Sequence, residues 1–189
     1  STNKGINSVN INTQKIKSYD IYDGLQDYEF MELSAGVMTD GTMIFGGVNG
    51  INVFRPDDFD VIDFNGSPTL VDFKIFNHSV EADSIYSVYF DKSVCFTEYI
   101  ELPYNLNTFS FQFSSLDYRS PYKVGYEYML EGVDDSWIST SAFHREAFYT
   151  KLSSGEYMFR LRVRNTDGVY SSNELSIPVI ITPPFWRTW

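Results

Sequence analysis

The stretch Y-M-F-R-L-R-V-R, residues 157–164, decides the architecture. Tyr157, Phe159, Leu161 and Val163 alternate with Met158, Arg160, Arg162 and Arg164, so an extended chain carries one apolar and one basic face. The same period of two recurs on either side. Phe109, Phe111 and Phe113 alternate with Ser110, Gln112 and Ser114; Val124, Tyr126, Tyr128 and Leu130 alternate with Gly125, Glu127 and Met129. Leu175, Ile177, Val179 and Ile181 form another one-sided strand, in which Pro178 requires an edge or bulge position. Val71, Phe73 and Ile75 give one more, Tyr86, Val88 and Phe90 a weaker one, and Ala147 to Tyr149 a seventh. No window of a dozen residues holds a 3.6 period. The expected class is all-β, with two antiparallel sheets face to face as in an immunoglobulin or fibronectin-like sandwich.

The turns agree, since Asn165-Thr166-Asp167-Gly168 and Ser153-Ser154-Gly155 hold residues that tolerate turn geometry. Asn65-Gly66-Ser67-Pro68 reads as the hinge before the sandwich, which divides the chain into 1–64 and 65–189. The first part is richer in Asn and Gly, and its 4 basic and 10 acidic residues give it a net charge of −6. Its strands are broken by Asp23-Gly24, Asp40-Gly41 and Gly46-Gly47. Met43 to Phe45 and Ile51 to Phe54 form an expected hairpin with Asn49-Gly50 near the turn. Too few large apolar side chains are present there for an independent domain, so partial blades of a larger β-array explain it better.

Composition sets limits on function. The 189 residues carry 14 basic and 25 acidic side chains, a net charge of −11, and such a field repels a phosphate backbone. The 16 Phe, 14 Tyr and 3 Trp weight the chain toward sheet. A single cysteine, Cys95, excludes an internal disulfide and a thiolate metal cluster, and it reads as a small buried hydrophobe. No stretch reaches the ~18 apolar residues that span a bilayer. The opening S-T-N-K-G-I-N-S is not a secretory leader and lacks an initiator Met, so the chain is expected to be an excerpt of a longer protein.

Residues with catalytic potential are few. His78 and His144 stand in unlike contexts and offer neither a two-His metal site nor a Ser-His-Asp triad. Asp134-Asp135 reads as a hydrogen-bonding turn before Trp137 rather than an acid pair. Asp57, Asp58, Asp60 and Asp63 lack the spacing of a calcium loop and read as a solvated acidic linker. Gly46-Gly47-Val48-Asn49-Gly50 lacks the Lys-Ser/Thr of a phosphate loop. No enzyme, metal or cofactor is expected of this chain. Arg160, Arg162 and Arg164 would suit a dock for an acidic sugar, a partner surface or a dimer contact. The plainer reading is a solvated face paired with cross-strand Glu127 and Glu131. Trp137 and the tyrosines could stack on sugars or serve as core and corner residues.

The run Y-E-Y-M-L-E-G-V-D-D-S-W, Tyr126 to Trp137, is followed by S-G-E-Y at Ser154–Tyr157, R-V-R-N-T-D-G-V-Y at Arg162–Tyr170 and P-P-F-W at Pro183–Trp186. Together they resemble the Y_Y_Y domain, with Tyr126, Tyr128 and Tyr157 at its tyrosine positions and Gly132, Asp134 and Trp137 in the same motif. F-S-F-Q-F-S-S-L-D-Y, Phe109 to Tyr118, is similar to the family's lead-in. Upstream, N-K-G-I (Asn3–Ile6), D-G-L-Q-D-Y-E-F (Asp23–Phe30) and D-G-T-M-I-F-G-G-V-N-G-I-N-V-F-R-P (Asp40–Pro56) resemble the last regulator-propeller repeats, although Met43 to Gly47 replaces their usual W-I-G-T-type strand.

The resemblance implies the periplasmic sensor region of a hybrid two-component histidine kinase, membrane-adjacent at its C-terminus and paired with a second protomer. Upstream propeller blades would bind an oligosaccharide, and the sandwich would relay that state to a transmembrane helix. Pro183 and Pro184 would stiffen the exit, and Phe185, Trp186 and Trp189 with Arg187 would suit a water–membrane interface. A different class, a carbohydrate-binding accessory sandwich of a secreted glycan-degrading enzyme, is also consistent with the aromatics and the acidic charge.

Overall fold

The computed structural model describes residues 1–58, 66–81, 85–116, 121–165, 168–184 and 186. Asn65 of the expected hinge, Tyr118, Thr166, Asp167, Phe185, Arg187 and Trp189 lie outside the described residues, as do Asp60 and Asp63 of the acidic run. The chain divides into two compact units, Ser1–Asp63 and Phe64–Trp189.

In the first unit, β1 (Ile6–Val9) pairs antiparallel with β2 (Ile16–Tyr19). β3 (Phe30–Val37), β4 (Met43–Gly47) and β5 (Gly50–Phe54) form a three-stranded antiparallel sheet. The β4–β5 hairpin turns through Val48-Asn49, and Gly50 takes φ +135, a conformation open to glycine. Phe45 stacks on Phe54 at 5.6 Å and meets Phe30 edge-on. Met31, Leu33, Val37, Ile51 and Val53 nevertheless stand exposed. A sheet of this kind has apolar side chains that its own strands do not cover.

The second unit is a β-sandwich. Its strands are β6 (Thr69–Ile75), β7 (His78–Ser79), β8 (Ile100–Pro103), β9 (Phe109–Ser114), β10 (Gly125–Glu131), β11 (Ile138–Ser141), β12 (Glu146–Tyr149), β13 (Gly155–Arg164) and β14 (Tyr170–Thr182). One sheet has the order β11-β10-β13-β14-β8 and the other β12-β9-β6-β7. All pairs are antiparallel except β8, which runs parallel to the end of β14 from Ile100↔Val179 to Pro103↔Thr182. Pro178 falls just before that pairing begins, where β14 has only β13 beside it. A proline is tolerated there because the missing N–H costs no central ladder bond.

The alternating residues close the core between the sheets. Tyr126, Leu130, Phe159, Leu161, Val163, Ile177, Val179 and Ile181 meet Leu70, Phe73, Ile75, Phe109, Phe111 and Phe113. Phe111 of one sheet stacks on Phe159 of the other, with centroids 3.8 Å apart and planes within 7°. Three expectations need correction. Val71 is 46% exposed and Leu70 is buried in its place. A bulge between Leu70 and Asp72 shifts the β6 register against β9, so the period of two breaks there. The weaker strand around Tyr86–Phe90 is instead a 3₁₀ turn, Ser87–Tyr89. Tyr86 and Phe90 pack on the core, and Val88 between them is exposed. Cys95, expected inside, is exposed on a second 3₁₀ turn, Val94–Phe96, whose buried anchor is Val94.

Candidate functional site

The tyrosine motif holds the sandwich together from within. Tyr126 is buried near the start of β10; its hydroxyl donates to the Ser115 Oγ at 3.3 Å and accepts the Ser115 N–H at 3.1 Å. Tyr128 is half-buried against Phe113 and Phe159, and burial raises its pKa. Tyr157 bends back so that its hydroxyl donates to the Ser153 carbonyl at 2.9 Å, a bond of the tyrosine-corner type. Gly132 has φ +94, and a Cβ there would approach Tyr157 Cδ1 to 3.1 Å, so the turn after β10 needs glycine for both reasons.

Asp134 is the clasp of that turn. Its Oδ2 accepts the Leu130 N–H at 2.8 Å and the Tyr149 hydroxyl at 2.7 Å, which ties β10 in one sheet to β12 in the other. Asp135 beside it is exposed, so the two do not act as a pair. Burial and the hydrogen bond to Asp134 push the Tyr149 pKa far above the ordinary tyrosine value. We predict that Tyr149→Phe, which removes this bond and leaves the ring, costs about 1–2 kcal/mol in a urea unfolding titration. Because the folded pKa is raised, the contribution is whole below about pH 10 and is lost as the pH rises past that value. Alkaline titration followed by tyrosinate absorbance checks it: the Phe variant should lack one late-titrating group.

The outer face of the five-stranded sheet carries the arginine stripe. Register sets its rows: Ser141, Gly125, Arg164 and Tyr170; then Ser139, Glu127, Arg162 and Glu174. Arg162 donates from Nε and one terminal nitrogen to Glu127 Oε2, at 2.9 and 2.6 Å. Its guanidinium lies 4.1 Å from the Trp137 ring and 4.5 Å from the Tyr170 ring. Such a cation between two aromatic faces is held by both rings. Arg160 bridges Glu131 at 2.8 Å and Glu174 at 2.5 Å. Arg164 reaches Glu127 at 3.6 Å and lies flat over Gly125, where a Cβ would come within 3.2 Å of it.

Glu127 is the hub of this network, only 8% exposed, and it also accepts from Tyr170 at 3.0 Å and Ser139 at 3.3 Å. Burial alone would raise its pKa. The Arg162 and Tyr170 hydrogen bonds, the Arg162 charge and the Ser139 bond outweigh that, and the carboxyl lies below its usual value. Three arginines thus share three carboxylates within the fold, and one face of Trp137 is given to Arg162. The alternation of Arg on β13 made the basic face legible; Glu174 and Tyr170 on β14 were missed, although their spacing puts them beside it.

The remaining sequence candidates are dispersed. Among the described residues no group of three or more His, Cys, Asp or Glu could hold a metal ion. Trp186 meets Tyr104 edge-on at 5.5 Å and is itself exposed, next to Pro183 and Pro184 at the end of β14. Among the described residues no helix is long and apolar enough to cross a membrane.

Three comparisons bear on this chain. Residues 117–182 match the Y_Y_Y domain model. A curated relative, Histidine kinase P4 of Formosa agariphila, is 31% identical over all 189 residues; the chain spans 14% of that relative's length. Among solved structures, the extracellular domain of the hybrid two-component system BT3049 from B. thetaiotaomicron is 23% identical at a TM-score of 0.77. The match covers 97% of this chain and 24% of that one. The extracellular domain of the hybrid system BT4673 from the same organism is 22% identical at a TM-score of 0.59, with 97% and 23% covered. At these identities the two structures share the fold.

Proposed function

The chain carries a Y_Y_Y domain within a stretch that is similar along its full length to a histidine kinase, and from that premise we propose that it is a non-catalytic, periplasmic signal relay of a hybrid two-component sensor. In this reading residues 1–64 are terminal propeller blades, whose uncovered apolar side chains would be covered by further blades. The sandwich passes on their glycan-dependent arrangement, paired with a second protomer, to a transmembrane helix and a cytoplasmic kinase.

The observation that carries the reading is the continuity of β14 with its exit. The thirteen residues of β14 pair with β13 along most of their length and with β8 over the last four, Val179–Thr182, and the strand ends directly before Pro183-Pro184. A rigid body whose last strand feeds a stiff dipeptide is suited to transmitting a displacement. A ligand shifts such a system only by its differential affinity for two arrangements. The accessory carbohydrate-binding alternative loses the motif aromatics as a stacking face, because Tyr126 is buried, Tyr157 closes a corner and Trp137 stacks on Arg162.

Inserting six Gly/Ser residues between Thr182 and Pro183 of the parent receptor tests the relay. The expected result is normal surface level and basal kinase activity, with the glycan-dependent response of a transcriptional reporter lost. An unchanged response would overturn the reading.

A further inference from the structure

The free side of β8 opens onto a cleft that the tyrosine motif and the arginine stripe do not use. β8 is the outermost strand of its sheet, and among the described residues no strand covers its second flank. The segment from Tyr86 to Tyr99 arches over that flank instead. Phe90 pins it 5.5 Å from Phe73, and Val94 is buried in the core. Glu81 ties its middle by accepting from Ser93 Oγ at 2.7 Å and from the Val94 N–H. Between this arch and the strands lies a cleft of about 500 Å³, walled by Tyr89, Asp91, Thr97, Tyr99, Glu101 and Thr182.

That volume is within the range of ligand sites, roughly 300–1,000 Å³. The lining narrows the occupant. Tyr89 and Tyr99 present partly exposed rings, flat apolar surfaces with a polar edge. Asp91 and Glu101 form no ion pair among the described residues, so their oxygens are free to accept hydroxyl donors in short, charge-assisted bonds. Arginine is absent from the wall, and its one lysine, Lys92, lies 3.9 Å from Glu98. An anionic ligand would find no counter-charge there, and a lipid chain would leave those carboxylates dry. Rings to stack on and acceptors for hydroxyls are what a neutral saccharide requires.

We infer that this cleft is a binding site for a neutral saccharide, separate from any site on the upstream blades. The ligand would touch β8 through Glu101 and the end of β14 through Thr182, so it would bridge the two strands that pair in parallel at the exit. This goes beyond the relay reading and does not depend on it.

The test is ligand-observed saturation-transfer NMR and calorimetry on the full 189-residue chain. The probes are neutral glucose-, galactose- and mannose-based di- and trisaccharides, a uronic-acid disaccharide and spermine. Saturable binding of at least one neutral saccharide is expected, weakened at least tenfold by Tyr99→Ala and by Glu101→Gln. Trp137→Ala should bind as wild type, and melting temperatures would show that every variant is folded. Three outcomes would overturn the inference: silence from all neutral saccharides, binding of spermine or the uronate alone, or binding that survives the Tyr89→Ala/Tyr99→Ala double variant. Each leaves the relay intact, since the insertion at Thr182 reads that function independently.

Discussion

Phe159→Ala should lower the stability of the sandwich by about 3–5 kcal/mol, the cost of removing a fully buried aromatic ring from a core that relaxes only in part. The ring is inaccessible to solvent and stacks face to face on Phe111 at 3.8 Å, joining the two sheets where neither backbone can follow it. Tyr128 packs on it as well, at 6.5 Å, so its removal loosens the motif tyrosine beside it. In a unit of this size the loss corresponds to a fall in melting temperature of order 10–20 °C. Phe148→Ala is the control: that ring lies on the outer side of β12, is largely exposed, and should change stability by less than about 0.5 kcal/mol. If both variants melted together, the stack between the sheets would not be the organising contact of this core.

The second large effect belongs to Glu127→Gln. The substitution keeps the size of the side chain and removes the charge on which Arg162 and Arg164 converge. Removing one member of a fully buried ion pair costs about 3–5 kcal/mol; Arg162 still reaches water here, so a loss of about 2–3 kcal/mol is expected. The variant should also change the response to acid. Because the Glu127 pKa is lowered on folding, its stabilising contribution is present above the unfolded value near about 4.3. It is lost as the pH falls through the lower folded value. Urea midpoints measured at pH 7 and pH 3 should therefore converge more in Glu127→Gln than in the wild type. A double-mutant cycle with Arg162→Met would assign the coupling to this pair; coupling near zero would show that Arg162 is held by its two aromatic neighbours instead.

The inward faces were legible because alternation is a direct consequence of the pleat. Phe109, Phe111 and Phe113 had only one way to point once the strand was recognised, and the same holds for Phe159, Leu161 and Val163. Val71 was misread because a bulge inserts one residue without leaving a mark in hydropathy. Tyr86 to Phe90 was misread because a single 3₁₀ turn can bring its first and last aromatics to one surface, as two strand positions would. The arginine face was legible as a stripe but not as a closed network, since Glu174 and Tyr170 approach it only through the β13–β14 register. The cleft under the arch could not be read from sequence: its walls come from three separate segments, and none carries a motif. Cys95 was assigned inward from its residue type, yet it stands on a turn whose neighbour Val94 fills the available space.

The pairing of β14 also has a mechanical consequence. The strand is matched to β13 from Tyr170 to Ile181 and to β8 from Val179 to Thr182. At about 3.3 Å per residue it is some 40 Å long. A tensile load applied to Thr182 along the strand axis would act parallel to both seams, so the ladder bonds would be loaded in shear and would have to yield together. Load from the side would peel them one at a time. The molecule is therefore stiff to traction along its last strand and compliant to prying across it, which gives a force arriving at Pro183 a preferred direction.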